Sequence, residues 1–430
     1  MLTLTKSDPI YAEYIKILNA ELICATGCTE PIAIAFCAAK ARAALGALPD
    51  YVKVEASGNI IKNVKSVVVP NTGGGRGIAV AAAVGVVAGD ETKGLEVVSG
   101  VTDAQLAQLR EYLTTAKIDV CPADSEYLLD IVVTVRKGAS EAKARVVNEH
   151  TNIVLVEKDG QVLEQKEVAE AADPEAPDYS LLSMKDIYDF ATTADLNDVK
   201  DLLDRQIELN TAISQEGLKT SYGANIGKVL LKVYGDDVKV RAKAAAAAGS
   251  DARMNGCSLP VVINSGSGNQ GMTASLPVIE YAKELKADKE KLYRALLISN
   301  LVTLHQKTGI GRLSAYCGAV SAGAGAGAGI AWLCGGDYET IAHTVVNALA
   351  ITSGIICDGA KSSCAAKIAF AVDAGLLGWQ MYANGQQFYG GDGIILKGVE
   401  NTIKSIGRLG RVGMRETDKE IIRMMTEEQE

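Results

Sequence analysis

Aromatic residues are scarce in this chain. They make up 5% of 430 residues, with two Trp and four Phe, so stacking platforms for nucleic-acid bases are not expected. Basic residues are outnumbered too. The 43 Lys and Arg stand against 52 Asp and Glu, a net charge of −9, and such a surface does not neutralise a phosphate backbone. The N-terminus, MLTLTKSDPIYAEY, lacks the basic start and apolar run of a signal peptide, so a cytoplasmic, reducing compartment is the expectation. There is no CxxC and no HExxH, and His150, His305 and His343 stand at no ligand-like spacing to a cysteine. Structural zinc is disfavoured on that ground. The loop SGSGNQG lacks the Lys-Ser/Thr ending of a Walker loop. GAGAGAG follows no strand and has no acidic residue at the distance a dinucleotide fingerprint needs.

One segment is long and uncharged. The 24 residues between Arg312 and Asp337, LSAYCGAVSAGAGAGAGIAWLCGG, are enough to cross a bilayer. They are mostly Gly and Ala, which transfer weakly into lipid, and no Lys/Arg asymmetry or aromatic belt frames them. A helix buried at the centre of a soluble bundle, where small residues let backbones approach, is the expectation, with no membrane partner.

What is present is a globular composition, 48% hydrophobic and 22% charged, long enough for two or three domains. The fold expected is α+β, an α/β domain plus a large all-α domain with buried Gly/Ala-rich helices that carries the functional site. Residues 1–48 read as N-terminal helices, carrying Cys28 and packed on the C-terminal domain. Residues 49–180 read as the α/β domain. There YVKVEASGN, KNVKSVVVP, LEVVSGV, DIVVTVRKG and the hairpin KARVVNEHTNIVLVEKDG are predicted strands, and helices are predicted over 78–87 and AQLAQLREYLTTA. The acidic stretch 164–180 has two Pro and no periodicity, as a linker or surface loop would. From Ser183 to the C-terminus the periodicity is almost wholly helical.

Nine cysteines is an odd number and more than a core needs as small hydrophobes. Cys37 sits mid-helix among apolar residues and reads as core. Cys334 ends the Gly/Ala segment, and Cys121 precedes a Pro in an apparent turn. Cys24 and Cys257 have no assigned role. Cys28, Cys257, Cys317, Cys357 and Cys364 lie in polar, glycine-containing stretches. Cys28 precedes a helix predicted to start near Pro31, with Thr29 or Glu30 as its cap. A helix N-terminus favours the thiolate, so its pKa is expected to fall, which suits a nucleophile, a general base or a metal ligand. Thiolates gathered from separate helices would suit an iron–sulfur cluster with one open iron, although spacing alone does not establish one. Two glycine-rich loops, VVVPNTGGGRG and VVINSGSGNQG, have the backbone character of carboxylate or phosphate cradles, the second ahead of a helix predicted from Leu276.

Taken together, GCTEP (27–31), VVPNTGG (68–74), INSGSGNQG (263–271), SAYCGAVSAG (314–323) and ICDGAKSSCAAK (356–367) resemble the L-cysteine desulfidase family. That family is related to the alpha chain of bacterial iron–sulfur L-serine dehydratases. The resemblance covers nearly the whole chain. It implies a 4Fe–4S cluster held by Cys317, Cys357 and Cys364, with one iron open, and Cys28 as the catalytic base. Asn71, Thr72 and the loop Ser265, Gly266, Ser267, Gly268, Asn269 and Gln270 are placed to hold the substrate carboxylate. The reaction implied is β-elimination on a small L-amino acid, L-cysteine first and L-serine as the alternative, without pyridoxal phosphate. A non-catalytic amino-acid-binding or redox-sensing protein is the alternative of another class. A homodimer is the base-rate expectation. Asp358 and Lys361 carry no assigned role.

Overall fold

The computed structural model describes residues 4–168, 176–311 and 313–426. The first part of the chain forms α1 (Pro9–Glu21), β1 (Cys24–Thr26), α2 (Thr29–Leu45), β2 (Tyr51–Ala56), α3 (Gly58–Val64), α4 (Gly77–Ala88), α5 (Asp103–Thr115) and β3 (Lys117–Pro122). A meander follows in β4 (Asp130–Lys137), β5 (Ser140–Val147), β6 (Ile153–Lys158) and β7 (Gln161–Gln165). The helical part holds α6 (Met184–Thr193), α7 (Lys200–Lys219), α8 (Ile226–Tyr234), α9 (Val238–Met254), β8 (Pro260–Val262), α10 (Gly268–Glu284) and α11 (Lys289–Ile310). It closes with α12 (Gly318–Leu333), α13 (Tyr338–Thr352), α14 (Cys364–Ala383), α15 (Val399–Arg408) and α16 (Arg415–Thr426). The fold is α+β.

The larger sheet has the order β3-β2-β4-β5-β6-β7, parallel between β2 and β3 and antiparallel elsewhere. Alternation puts one face in the core. Val52, Val54 and Ala56 of β2 are fully buried, as are Ile131, Val133 and Val135 of β4, while Lys53 and Glu55 face outward and pair with each other. Helices α2 and α4 cover the buried face. Cys37 of α2 donates to the Ala144 carbonyl at 3.3 Å, and a Cβ on Gly85 would lie 2.3 Å from the Ala35 carbonyl, so the two helices touch backbone to backbone.

Several expectations are corrected here. KNVKSVVVP is not a strand. Residues 58–64 coil into α3, and Val67 and Val69 are buried from a loop rather than by sheet pairing. LEVVSGV holds one 3₁₀ turn, Gly94–Glu96. Cys121 lies in β3, opposite Glu55, and not in a turn. The helix expected from Leu276 starts earlier, at Gly268. β7 takes up the start of the expected linker, of which residues 169–175 lie outside the described residues. Helix α1 packs its Tyr11 and Tyr14 against Phe190 of α6, but α2 lies on the sheet and not on the helical part, because its Ile, Ala and Cys face fits the valine surface.

The helical part is built around α12, whose residues 319–331 are all buried. Its alternating glycines serve two neighbours. A Cβ on Gly323 would lie 2.3 Å from the Ala371 carbonyl of α14, and one on Gly327 would lie 2.6 Å from the Gly375 carbonyl. On another face, Gly325 meets the Ser299 carbonyl at 2.6 Å and Gly329 the Ala295 carbonyl at 2.7 Å, both on α11. The paired positions rise together along both chains, so α12 and α14 run parallel and in fixed register. Among the described residues no helix is long and apolar enough to cross a membrane.

Two predictions follow from this packing. Gly323→Ala forces α12 off α14 and is expected to cost about 1–3 kcal/mol, as overpacking does; an unchanged unfolding midpoint in urea would contradict the backbone contact. Asp251, in α9, accepts the Gly227 N–H, and burial pushes its carboxyl from 3.8 up to about 6. The folded protein then holds this proton more tightly than the unfolded chain, so wild-type stability falls as pH rises from about 4 to about 6. Asp251→Asn keeps the acceptor without the charge. It is expected to raise the melting temperature at pH 7 and to lose that advantage below pH 4, in thermal scans across pH.

Candidate active site

A short antiparallel pair sets the first wall of the site. β1 pairs with β8, Cys24 opposite Val262 and Thr26 opposite Pro260, and Ile263 N–H donates to the Ile23 carbonyl at 2.9 Å. The chain leaving β1 turns at Gly27, with φ of 69°, and a Cβ there would lie 2.5 Å from Pro70. The chain leaving β8 turns at Ser265 and Gly266, both with positive φ, and closes an Asn264–Ser267 bridge. The Thr29 hydroxyl donates to the Gly266 carbonyl at 3.0 Å and ties the two turns together. Behind them runs a buried amide ladder. Asn210 accepts from Val262 N–H, while Asn264 donates to Asn300, and Asn300 donates to Gln206.

The second wall is the start of α12 and the segment before α14. Tyr316 and Ile356 form an isolated bridge. Cys317 N–H donates to the Ile355 carbonyl at 3.1 Å, and Cys357 N–H to the Ala315 carbonyl at 2.6 Å. Cys317 and Cys357 are therefore diagonal neighbours on one side of this bridge. Cys364 opens α14, and its thiol meets the Gly359 carbonyl at 3.7 Å. Gly359 has φ of 91° and sits against the Lys62 carbonyl of α3, where a Cβ would be only 2.2 Å away. Cys28 and Cys364 share one small apolar cluster with Met254 and Val67.

One cavity of about 110 Å³ joins the walls. Cys28, Cys317, Cys357 and Cys364 line it, with Ser265, Gly266, Ser267, Asn269 and Gln270. This volume is far below the roughly 300–1,000 Å³ that drug-sized ligands take, so the space suits small molecules. Four helices point their N-termini at it: α2 after Cys28, α10 after Ser267, α12 after Cys317 and α14 at Cys364. Their partial positive charges favour anions.

Two expected residues are not in this cavity. The Asn71 amide donates to the Val98 carbonyl and ties its turn to the segment after α4, while the Thr72 hydroxyl donates to the Val69 carbonyl within the turn. Gly268 does not line the cavity either, because the Arg253 side chain fills the space beside it. Cys24 and Cys257 stand outside it, and Cys334 is exposed.

The capping and charge expected at Cys28 are also corrected. Cys28 itself is the N-cap residue of α2, and neither Thr29 nor Glu30 caps the helix. Burial raises its thiol pKa well above the ordinary value, and the Glu30 carboxylate, 3.0 Å away and accepting the thiol proton, adds to that rise. The nearby Arg253 charge opposes it but does not prevail. Burial and the neighbouring Cys357 push Cys317 up to about 12, and burial raises Cys364 as well. Buried thiols of this kind become thiolates only when a strong cationic partner arrives.

Residues 92–423 match the model of the serine dehydratase alpha chain family. The chain belongs to that family. The matched span holds the loop 265–270 and the thiols at 317, 357 and 364; Cys28 precedes it. Similar proteins extend across the whole chain. A UPF0597 protein of Desulfitobacterium hafniense is 60% identical over 98% of both chains. Another, of Lachnoclostridium phytofermentans, is 53% identical over 97% of this chain and 100% of its own. One of Treponema denticola is 47% identical over 96% of this chain and 98% of its own.

Several lining residues of this family member escaped the sequence reading. Arg253, Lys307 and Tyr316 come from the helical part, and Asn148 and His150 from the end of the sheet. Their polar character was visible, but nothing in their spacing placed them together. Asp358 and Lys361 do not line the cavity. Asp358 accepts from both Lys361 and Lys367, and Lys367 also donates to the Ile356 carbonyl at 2.8 Å. Burial alone would raise the Asp358 carboxyl, but the two ammonium groups outweigh it and hold it at about 2. This triad locks the strand carrying Cys357 onto the first turn of α14. Asp358→Asn is expected to free that strand, so that Cys357 and Cys364 of the metal-free protein react faster with a maleimide. Unchanged labelling rates would remove the locking role.

Proposed function

We propose that this chain catalyses β-elimination on a small L-amino acid, using a 4Fe–4S cluster held by Cys317, Cys357 and Cys364. L-cysteine, giving pyruvate, ammonia and sulfide, is the first substrate. L-serine dehydration is the second reading, and the description of the family, serine dehydratase alpha chain, favours it. The observation that carries the proposal is the convergence of three thiols and a fourth, Cys28, on one small cavity ringed by helix N-termini.

The donor set fits such a cluster. Among the described residues no three His, Cys, Asp or Glu side chains surround one ion-sized point, whereas a cluster takes each thiolate on a separate iron and tolerates a wider spread. Three thiolates among converging helix dipoles would supply the negative charge it needs. When bound, the cluster would supply a Lewis-acidic iron that takes up charge on the departing sulfur or oxygen.

The chain's own residues do the rest. The loop 265–270 and the first turn of α10 offer backbone N–H groups to the carboxylate. Cys28, whose thiol faces Glu30 and ionises only when positive charge enters the cavity, removes the Cα proton as a thiolate. The Cα–H electron pair becomes the Cα=Cβ double bond, and the leaving group departs from Cβ with its bonding pair. The aminoacrylate released from the site tautomerises and hydrolyses to pyruvate and ammonia. No pyridoxal phosphate takes part.

The test is anaerobic reconstitution. The protein is expected to take up iron and sulfide in equal amounts, with broad visible absorbance, and to release sulfide and pyruvate from L-cysteine or pyruvate from L-serine. Cys28→Ala should lower turnover by about 10²–10⁴-fold with the absorbance intact. Cys357→Ser should lose the absorbance. Cluster-loaded protein that turns over neither amino acid would refute the activity.

A further inference from the structure

The Arg253 side chain is the largest of the fully buried ones, and the scheme above leaves it unused. We infer that Arg253 is the anchor for the substrate's α-carboxylate, so that the site selects ligands with a free carboxylate beside an amine. This rests on the amino-acid reading of the cavity and names the group that would enforce it.

Arg253 lies in the last turn of α9 and is 1% exposed. Its Nη1 donates to the Asn269 side chain at 3.2 Å. Nε and Nη2 have no hydrogen-bond partner among the described residues, and no carboxylate among them pairs with the guanidinium. The C-terminal end of α9 offsets part of the charge. A buried cation is otherwise costly until an anion meets it, and a guanidinium with two open donors suits a bidentate oxyanion; a cavity of about 110 Å³ favours a small carboxylate.

The placement is built rather than incidental. A Cβ on Gly268 would lie 2.4 Å from Arg253 Nε and 2.8 Å from Cζ, so only glycine lets the guanidinium rest on the first residue of α10. The guanidinium thus adjoins the unpaired N–H groups of that helix's first turn. On the same turn Gln270 is buried against Gly318, and its Oε1 accepts no hydrogen bond among the described residues. Donors for a carboxylate and an acceptor for an ammonium therefore face one cavity, which Cys28 also lines. An α-amino acid carries this pair of groups one carbon apart.

The test uses the full chain with L-alanine, which has both groups but no leaving group, and L-alaninamide, which lacks the carboxylate. Wild type is expected to gain thermal stability from L-alanine and none from L-alaninamide. Arg253→Gln should lose the L-alanine effect, and its KM for L-cysteine or L-serine should rise roughly 10- to 100-fold, the weight of a charge-assisted pair, with kcat near wild type. Arg253→Lys should recover part of the affinity. A fall in kcat at constant KM would overturn the inference, since Arg253 would then serve Cys28 and not the substrate. Equal stabilisation of wild type by both ligands would overturn it even if Arg253→Gln fails to fold. L-alanine binding that depends on Arg253, without turnover of either amino acid, would uphold the anchor and refute the activity instead.

Discussion

Backbone contact between α12 and α14 is the constraint on which the rest of the site depends. Two helices can touch so closely only where neither carries side-chain bulk, and Gly323, Gly327 and Gly375 supply that. The contact fixes more than distance. Because residues four apart on α12 meet residues four apart on α14, it also fixes the register. Cys317 and Cys364 stand at the matching ends of this pair, so their separation is set by the interior of the bundle rather than by the loop between them. The Tyr316–Ile356 bridge then delivers Cys357 to the same end.

The same geometry makes the cavity an electrostatic object. Four helix N-termini and a buried guanidinium give the space a positive potential, while the raised thiol pKa values reflect its shielding from water. Each feature alone is ordinary. Together they mean that the dipoles and the guanidinium favour an anion there, whereas the thiols stay protonated until positive charge enters. The Glu30 carboxylate runs against this trend. It sits on Cys28 and raises that thiol's pKa further.

Periodicity made most of the helices and the alternating strands β2, β4, β5 and β6 legible in the sequence. It failed where apolar residues are buried from turns. Val67, Val68 and Val69 look like a buried strand, yet all three are buried in a loop, Val67 in one cluster with Cys28 and Met254. The glycines of α12 signalled close approach but not the partner, since the register lies in the pairing of residues some fifty positions apart. The motif resemblance grouped Cys28, Cys317, Cys357 and Cys364. It also grouped Asn71 and Thr72, which lie outside the cavity and donate to the Val98 and Val69 carbonyls. Arg253 was hidden. At the end of an alanine-rich helix an arginine is the expected residue, and only burial without a counter-ion separates it from a routine cap.

The pairing of β1 with β8 has a consequence for how the protein comes into being. It joins the segment around Cys28 to a turn more than two hundred residues later, while the three other thiols lie in the last third of the chain. During synthesis from the N-terminus, Cys28 and its helix are finished long before any residue of the opposite wall exists. The strands of the sheet that carries α2 are all made before β8. The cavity closes only when α14 has slid into register on α12. A chain that ends before α14 therefore lacks Cys364 and part of the second wall of the cavity.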